Sequence, residues 1–417
     1  MHRPTSPHHP LERSFSLKDA CAEVMRVLAA LGLRHELRVA GHGVVAVKCR
    51  LYDATGEHVA VGLGKGDEPS AKAGALFEAL EHYFLKHHYV ELEHLPSVSL
   101  AEQSRGVLPG LIASVIQQSR EGSIPCVSHA CLSEGSTVAY PLGLFMPSYL
   151  DAHLADPSLN PADTFDYTRL AEYASNTGVA IGMNRTEAVV HGLLEAVERD
   201  AMSRFLADAF IKLEPGSLRE VQPDTLPPRL RRLADVIAHK ASVPRVRLFS
   251  LRNRFDIPTF CAWMDRQLFG LFQVGFGSSL RESHAIERSL YELAQSYIAF
   301  TELHEREGAK KRNQEILANL AHSRVMQSCA AFDLAALEQV LEHQPVAYQN
   351  RQLDPQGDLS AYLARIVKLL DDGGAKAYVA EFTLPIDSAI TVTHSYVSES
   401  DRFMTVTGGR TPMPSAL

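Results

Sequence analysis

Residues 191–201 read HGLLEAVERDA, residues 74–84 read GALFEALEHYF, and residues 288–300 read RSLYELAQSYIAF. Each stretch sets two acidic or amide side chains three residues apart in an apolar run: Glu195 and Glu198, Glu78 and Glu81, Glu292 and Gln295. The periodicity predicts helices over Ser70–Tyr89, Thr186–Phe205 and Glu282–Leu303. The i, i+3 spacing puts both members of a pair on one helix face, roughly 5–6 Å apart at Cβ. One such pair is what any solvated helix edge carries. Three in like surroundings suggest a related element used three times around one site, because an uncompensated charge beside an apolar stripe is costly. If two pairs face each other, like charges 4 Å apart repel by about 4 kcal/mol at an effective dielectric of 20. Protonation or divalent cations must relieve that. Carboxylate oxygens suit Mg2+, which keeps phosphate oxygens in its shell. The chemistry this suggests is nucleotide binding or metal-assisted hydrolysis.

Outward from these helices, Ser16 can cap a helix that Gly32 ends. Val44–Leu51 and His58–Leu63 flank Asp53–Gly56, a hairpin pattern. Val246–Leu251, Thr259–Met264 and Gly270–Phe276 read as strands leading into the third helix, and Trp263 reads as core. Further helices are expected at Leu334–His343 and Leu359–Asp371, and late strands at Ala377–Thr383 and Ala389–His394. Pro215–Pro228 reads as an excursion or a linker. The fold class is α/β, or mixed α+β. Common nucleotide and hydrolase motifs are missing: no P-loop, GxGxxG, HExxH, EF-hand or GxSxG. Gly62-Leu63-Gly64-Lys65-Gly66 reads as a glycine-rich turn or a phosphate loop.

The chain has 417 residues, 46% hydrophobic and 22% charged, the balance of a globular protein. Acids outnumber bases, 49 to 41, for a net charge of −8. This weighs against nucleic-acid binding by bulk charge. No apolar run is long enough for a membrane helix, and the N-terminus lacks the apolar core of a secretory signal. The six cysteines are scattered, as in reduced cytosolic thiols, so a cytoplasmic location is expected.

Three blocks carry a resemblance: KGDEPSAKAGALFEALEHYF at 65–84, SNTGVAIGMNRTEAVVHGLLEAVERDA at 175–201, and GFGSSLRESHAIERSLYELAQSY at 275–297. In this order and spacing the chain resembles the YcaO family of ATP-using enzymes. The resemblance implies sheets and packed helices around a central ATP and Mg2+ site. By position it implies that Glu78, Glu81, Glu195 and Glu198 hold Mg2+ against ATP phosphates. Arg199 would contact phosphate, with Glu198 and Arg199 acting in catalysis. Glu187, Gln295, Lys65, Ser70 and Asn184 are further nucleotide-site candidates. Arg288 reads instead as a helix-surface partner of Glu292. Departures are His82 where many members have Arg, a one-position shift at Met183 and Asn184, and Tyr297 after the glutamine.

Family activity implies a cyclodehydratase, or heterocyclase. A Cys, Ser or Thr side chain attacks a backbone amide of a ribosomal precursor peptide, and ATP phosphorylates the oxyanion. Loss of phosphate then leaves a thiazoline or oxazoline, as in microcin-type azole synthetases. The C-terminal Pro412-Met413-Pro414-Ser415-Ala416-Leu417 partly matches a proline-rich tail whose terminal carboxylate, here Leu417, reaches the active site as a base. The expected partners are the precursor peptide, a leader-recognising protein of the E1-like or RRE kind, and a flavin-dependent azoline dehydrogenase, in a hetero-oligomeric complex. The organisation expected is a disordered tail over 1–14, a catalytic domain over 15–407 and the tail over 408–417. Alternatives are thioamide or amidine formation on the same fold, and a non-catalytic scaffold.

Overall fold

The computed structural model describes residues 11–87, 92–119, 122–303, 306–355 and 357–415. The three expected glutamate helices form over Glu68–His87, Arg185–Leu206 and Glu282–Glu302. Expected residues His88 and Tyr89 lie outside the described residues, as does the side chain of His87.

Three sheets carry these helices. Arg34–His42, Val44–Tyr52 and His58–Gly66 make an antiparallel three-stranded sheet. The first of these strands is absent from the sequence reading: RHELRVAGH has few apolar residues, and the strand buries none fully. A five-stranded sheet runs in the order Leu271–Ser278, Thr259–Leu268, Val246–Ser250, Arg219–Val221, Gln344–Val346. A third sheet orders Glu93–Pro96, Ser123–Cys131, Ala377–Glu381, Thr391–Val397 and Val179–Gly182, with Thr137–Pro141 on Ser123–Cys131. Helices pack against the sheets throughout, so the class is mixed α/β.

Each glutamate helix lies on its own sheet: the first on His58–Gly66, the second on Thr391–Val397 and Val179–Gly182, the third on Leu271–Ser278. Each also touches a strand of another unit. The first helix reaches Val179–Gly182, the second reaches Leu271–Ser278, and the third reaches Val44–Tyr52. The three units therefore close into a ring.

Glycines set the helix-to-strand distance. A Cβ on Gly64 would fall 1.7 Å from the carbonyl oxygen of Ala71, and one on Gly275 would fall 2.2 Å from the backbone nitrogen of Leu293. Only glycine admits a helix backbone that close. The Gly62–Gly66 stretch is thus neither a turn nor a phosphate loop: it is the strand on which the first helix rests.

Two further expectations change. Leu334–His343 is helical only over Leu334–Leu337. Pro215–Pro228 contributes strand Arg219–Val221 and leads into a helix at Pro228–Ala241. Trp263 is buried and donates to the Phe332 carbonyl at 3.1 Å. All six cysteines are free. Among the described residues no helix is long and apolar enough to cross a membrane.

Candidate functional site

The second glutamate helix starts from a cap. Asn184 Oδ1 accepts the Glu187 N–H at 2.9 Å, as an N-cap side chain does. Glu187 is buried, and its carboxylate accepts from the N–H groups of Met183 at 3.0 Å and Ser14 at 2.6 Å. Both predicted residues thus shape the entrance to the helix, and Glu187 also ties down the N-terminal segment.

Further along, Arg199 bridges its own helix's pair, 3.8 Å from Glu195 Oε1 and 3.4 Å from Glu198 Oε1. Glu195 Oε2 also accepts the Gly178 N–H at 3.4 Å. Burial raises the Glu195 carboxyl, with Arg199 pulling the other way. Burial pushes Glu198 up to about 7 against the opposing charge of Arg199, with Glu292 and Glu195 adding repulsion.

The first helix brings Glu78 and Glu81 to the same place. Burial lifts Glu81 well above the usual carboxylate range, and the charges of Glu195 and Glu78 lift it further. Glu78 is raised by burial, moderated by His82 and Lys65. His82 stays beside Glu78 while its Nδ1 contacts the Val61 carbonyl at 2.6 Å. Lys65 leaves its strand to pair with Glu292 Oε2 at 2.8 Å. Burial opposes ionisation of Glu292, yet Lys65, Arg199 and Arg288 together hold its carboxyl below the ordinary value. Members of all three helices therefore sense one another's charge, as the repeated spacing suggests. Gln295 follows Glu292 at i+3 and is partly buried. Ser70 stands apart: it lies in the first turn of its helix, two turns before Glu78, with its N–H on Asp67 Oδ1 at 2.9 Å.

Arg288 is not the surface partner of Glu292 that the spacing suggests. It points inward, and its Nη1 lies 3.3 Å from Glu12 Oε2. Burial acts against its charge, while Glu12, Glu198 and Glu292 favour it. Glu12 is itself buried. Its Oε1 accepts from Ser279 Oγ and from the Tyr362 hydroxyl, both at 2.6 Å, and His284 Nε2 lies 3.7 Å from Oε2. The expected tail over 1–14 thus includes a residue that the structure buries in the site; residues 1–10 lie outside the described residues. His191 also belongs here. Burial and the charges of Arg288, Arg13 and Lys65 keep its imidazole neutral, and its buried Nδ1 has no partner.

Sequence reasoning misses Glu12, His191 and the inward turn of Arg288. His191 carries a legible signal, since it stands at i+4 from Glu187 and i−4 from Glu195. Glu12 carries none: its partners are 267 to 350 residues away.

At the C-terminal end, Thr411 and Met413 donate backbone N–H bonds to Glu172 and the Tyr173 hydroxyl. Ser415 N–H reaches Asp401 Oδ2 at 3.0 Å. Asp401 and Arg199 line one cavity of about 10 Å3, room for a single water. Ala416 and Leu417, the latter a predicted catalytic terminus, lie outside the described residues.

The donors gathered here are carboxylate oxygens beside guanidinium and ammonium groups, the set that a hard divalent cation and a phosphate share. Among the described residues no three His, Cys, Asp or Glu side chains already stand close enough to hold an ion.

Comparison with known proteins supplies the context. A search of curated proteins finds no match. Solved structures with this fold include YcaO from Methanopyrus kandleri bound with AMPPCP and Mg2+, at TM-score 0.65 and 19% identity, covering 98% of both chains. A heterocyclase in complex with substrate and cofactor matches at TM-score 0.65 and 17% identity, over 97% of this chain and 58% of that one. The E. coli microcin synthetase McbBCD complex matches at TM-score 0.55 and 15% identity, over 88% of this chain and 87% of that one. The family described as YcaO cyclodehydratase, ATP- and Mg2+-binding, matches residues 63–399. A match that runs from the strand under the first glutamate helix to the turn beyond strand Thr391–Val397 makes this chain a member of the YcaO family.

Proposed function

We propose that this chain is an ATP- and Mg2+-dependent cyclodehydratase acting on backbone amides of a ribosomal precursor peptide. The observation that carries the reading is the convergence of Glu78, Glu81, Glu195, Glu198 and Glu292 with Lys65, Arg199 and Arg288. Buried glutamates that raise one another's pKa form a site that a divalent cation would stabilise. In this reading Glu78, Glu81, Glu195 and Glu198 would hold Mg2+ against the nucleotide phosphates. Mg2+ supplies the charge neutralisation that phosphoryl transfer demands.

The chain's own residues do the rest. Arg199, restrained by Glu195 and Glu198, offers its guanidinium to phosphate. Lys65 and Arg288 are held on the same cluster by Glu292 and Glu12, and Gln295 adds an amide one turn from Glu292. Asn184 and Glu187 fix the start of the second helix. In the peptide, a Cys, Ser or Thr side chain adds to the preceding carbonyl carbon. The carbonyl oxygen takes the γ-phosphoryl group of ATP, releasing ADP. The amide nitrogen lone pair then expels that oxygen as phosphate and the nitrogen gives up its proton to solvent or a base, forming the C=N bond of the azoline. The approach of Ser415 to Asp401, beside Arg199, supports a tail whose Leu417 carboxylate accepts a proton in this sequence.

The proposed complex contains a leader-recognising partner and a flavin-dependent azoline dehydrogenase, and the proposed domain runs over 15–407 with its tail over 408–417. The test supplies ATP, Mg2+, precursor and partner, and reads the peptide by mass spectrometry. Loss of one water per ring is expected. Exchange of oxygen for sulfur would identify thioamide formation instead, and ATP turnover unaffected by Glu198→Gln would sink the site assignment.

A further inference from the structure

The five-stranded sheet carries a second cleft that the glutamate cluster does not use. Its volume is about 370 Å3, within the range of small-ligand pockets, and Arg219, Arg252 and Arg351 line it. Two acids line it as well, and both are engaged. Asp256 pairs with Arg351 at 2.5 Å. Glu282 is buried and accepts the N–H groups of Gln349 and Arg351 at 3.1 and 2.8 Å. Arg219 and Arg252 face no carboxylate among the described residues. The Arg219 Nε is buried without a hydrogen bond, and its Nη1 reaches only Gln344 Oε1, at 3.5 Å. Burial and the neighbouring Arg252 charge both act against the Arg219 cation. An anion placed between the two guanidinium groups would offset that repulsion.

The cleft adjoins the glutamate cluster. Thr259 lines it and meets Ser278 Oγ at 2.8 Å; the next residue, Ser279, donates to Glu12. Glu282 opens the helix that carries Arg288, six residues later, a rise of roughly 9 Å. The buried Thr259, Ser278 and Ser279 form the wall that the cleft and the glutamate cluster share. With a net charge of −8 the chain as a whole repels acidic polymers, so an attraction of this kind is local.

We propose that this cleft binds a carboxylate side chain from an acidic segment of the peptide substrate, with Arg219 and Arg252 as its partners. The proposal deepens the peptide-modifying reading above and rests on it. Its test uses the full chain and a short fluorescein-labelled peptide alternating Asp and Gly, with an Asn-for-Asp twin. Fluorescence anisotropy should show the Asp peptide binding, and the Asn twin binding roughly tenfold more weakly or worse, the scale of one charge-assisted hydrogen bond. Arg252→Gln, at an exposed side chain, and the Arg219→Gln/Arg252→Gln double variant should each weaken the Asp peptide by a similar factor. Both variants should keep wild-type melting and wild-type affinity for a fluorescent ATP analogue with Mg2+. Equal binding of the two peptides, or unchanged binding by the double variant, would overturn the proposal. So would displacement of the peptide by inorganic phosphate at equal concentration, which would mark a small-anion site. The peptide measurement needs no ATP, so failure to bind nucleotide counts against the reading above and not against the cleft.

Discussion

Glu198 is where protonation and the proposed ion binding meet. Its carboxyl titrates at about 7 in the folded chain, against an ordinary 4.5, because burial outweighs the help of Arg199. Glu78, Glu81 and Glu195 are raised in the same direction. The folded state therefore keeps protons that the unfolded chain has already released. The resulting stabilisation is complete below the unfolded value of 4.5 and is lost as pH rises through about 7. We expect the melting temperature of the ligand-free protein to fall across that window, and Glu198→Gln to flatten the fall. A profile equally steep in the variant would refute this origin. Binding of Mg2+ with an ATP analogue should release protons, visible as a buffer-dependent calorimetric heat. Glu12 presents the opposite case. Burial raises its carboxyl, but His284, Arg288, Ser279 and Tyr362 together hold it below its ordinary value. Glu12→Gln removes charge-assisted bonds, so a loss of about 1.5–3 kcal/mol is expected in chemical denaturation.

Among the elements, the glutamate helices were legible because their apolar period and i, i+3 acid spacing are local. Ser16 caps the helix that its position predicts, whereas Asn184, read as a nucleotide-site candidate, turns out to cap the second glutamate helix. What lay outside that reading depends on distant partners. Strand Arg34–His42 is polar, and its register is set by pairing with Val44–Tyr52. The helix expected to His343 stops after Leu337; beyond it Glu338 and His343 turn to Arg247. Arg288 reads from sequence as a surface residue because its partner, Glu12, sits at the far end of the chain. The role of the 62–66 glycines was equally hidden, since a close approach shows only once the helix is laid on the strand. Gly275→Ala would press a methyl group against the third helix, so a loss of about 1–3 kcal/mol and a larger fall in ATP turnover are expected.

Across the whole molecule, the first and last described segments both reach the surroundings of the second glutamate helix, near its start and towards its end. Ser14 bonds Glu187, and Ser415 bonds Asp401 beside Arg199. Deleting residues 412–417 should abolish azoline formation while leaving ATP-analogue binding intact; unchanged product would remove the tail from the mechanism. The ring of three helix-and-strand units has one more consequence. Within two of its units the spacing of helix on strand is set by backbone touching backbone, at Gly64 and Gly275, with no side chain between to compress. Such a frame behaves as a fixed gauge, and a gauge discriminates by ionic radius. Mg2+ demands oxygen distances of about 2.0–2.1 Å, whereas Ca2+ accepts about 2.3–2.6 Å. Gly64→Ala, by lifting the first glutamate helix off its strand, should erode the preference for Mg2+ over Ca2+ in nucleotide-dependent thermal shifts, and selectivity for an ion would then trace to two missing methyl groups.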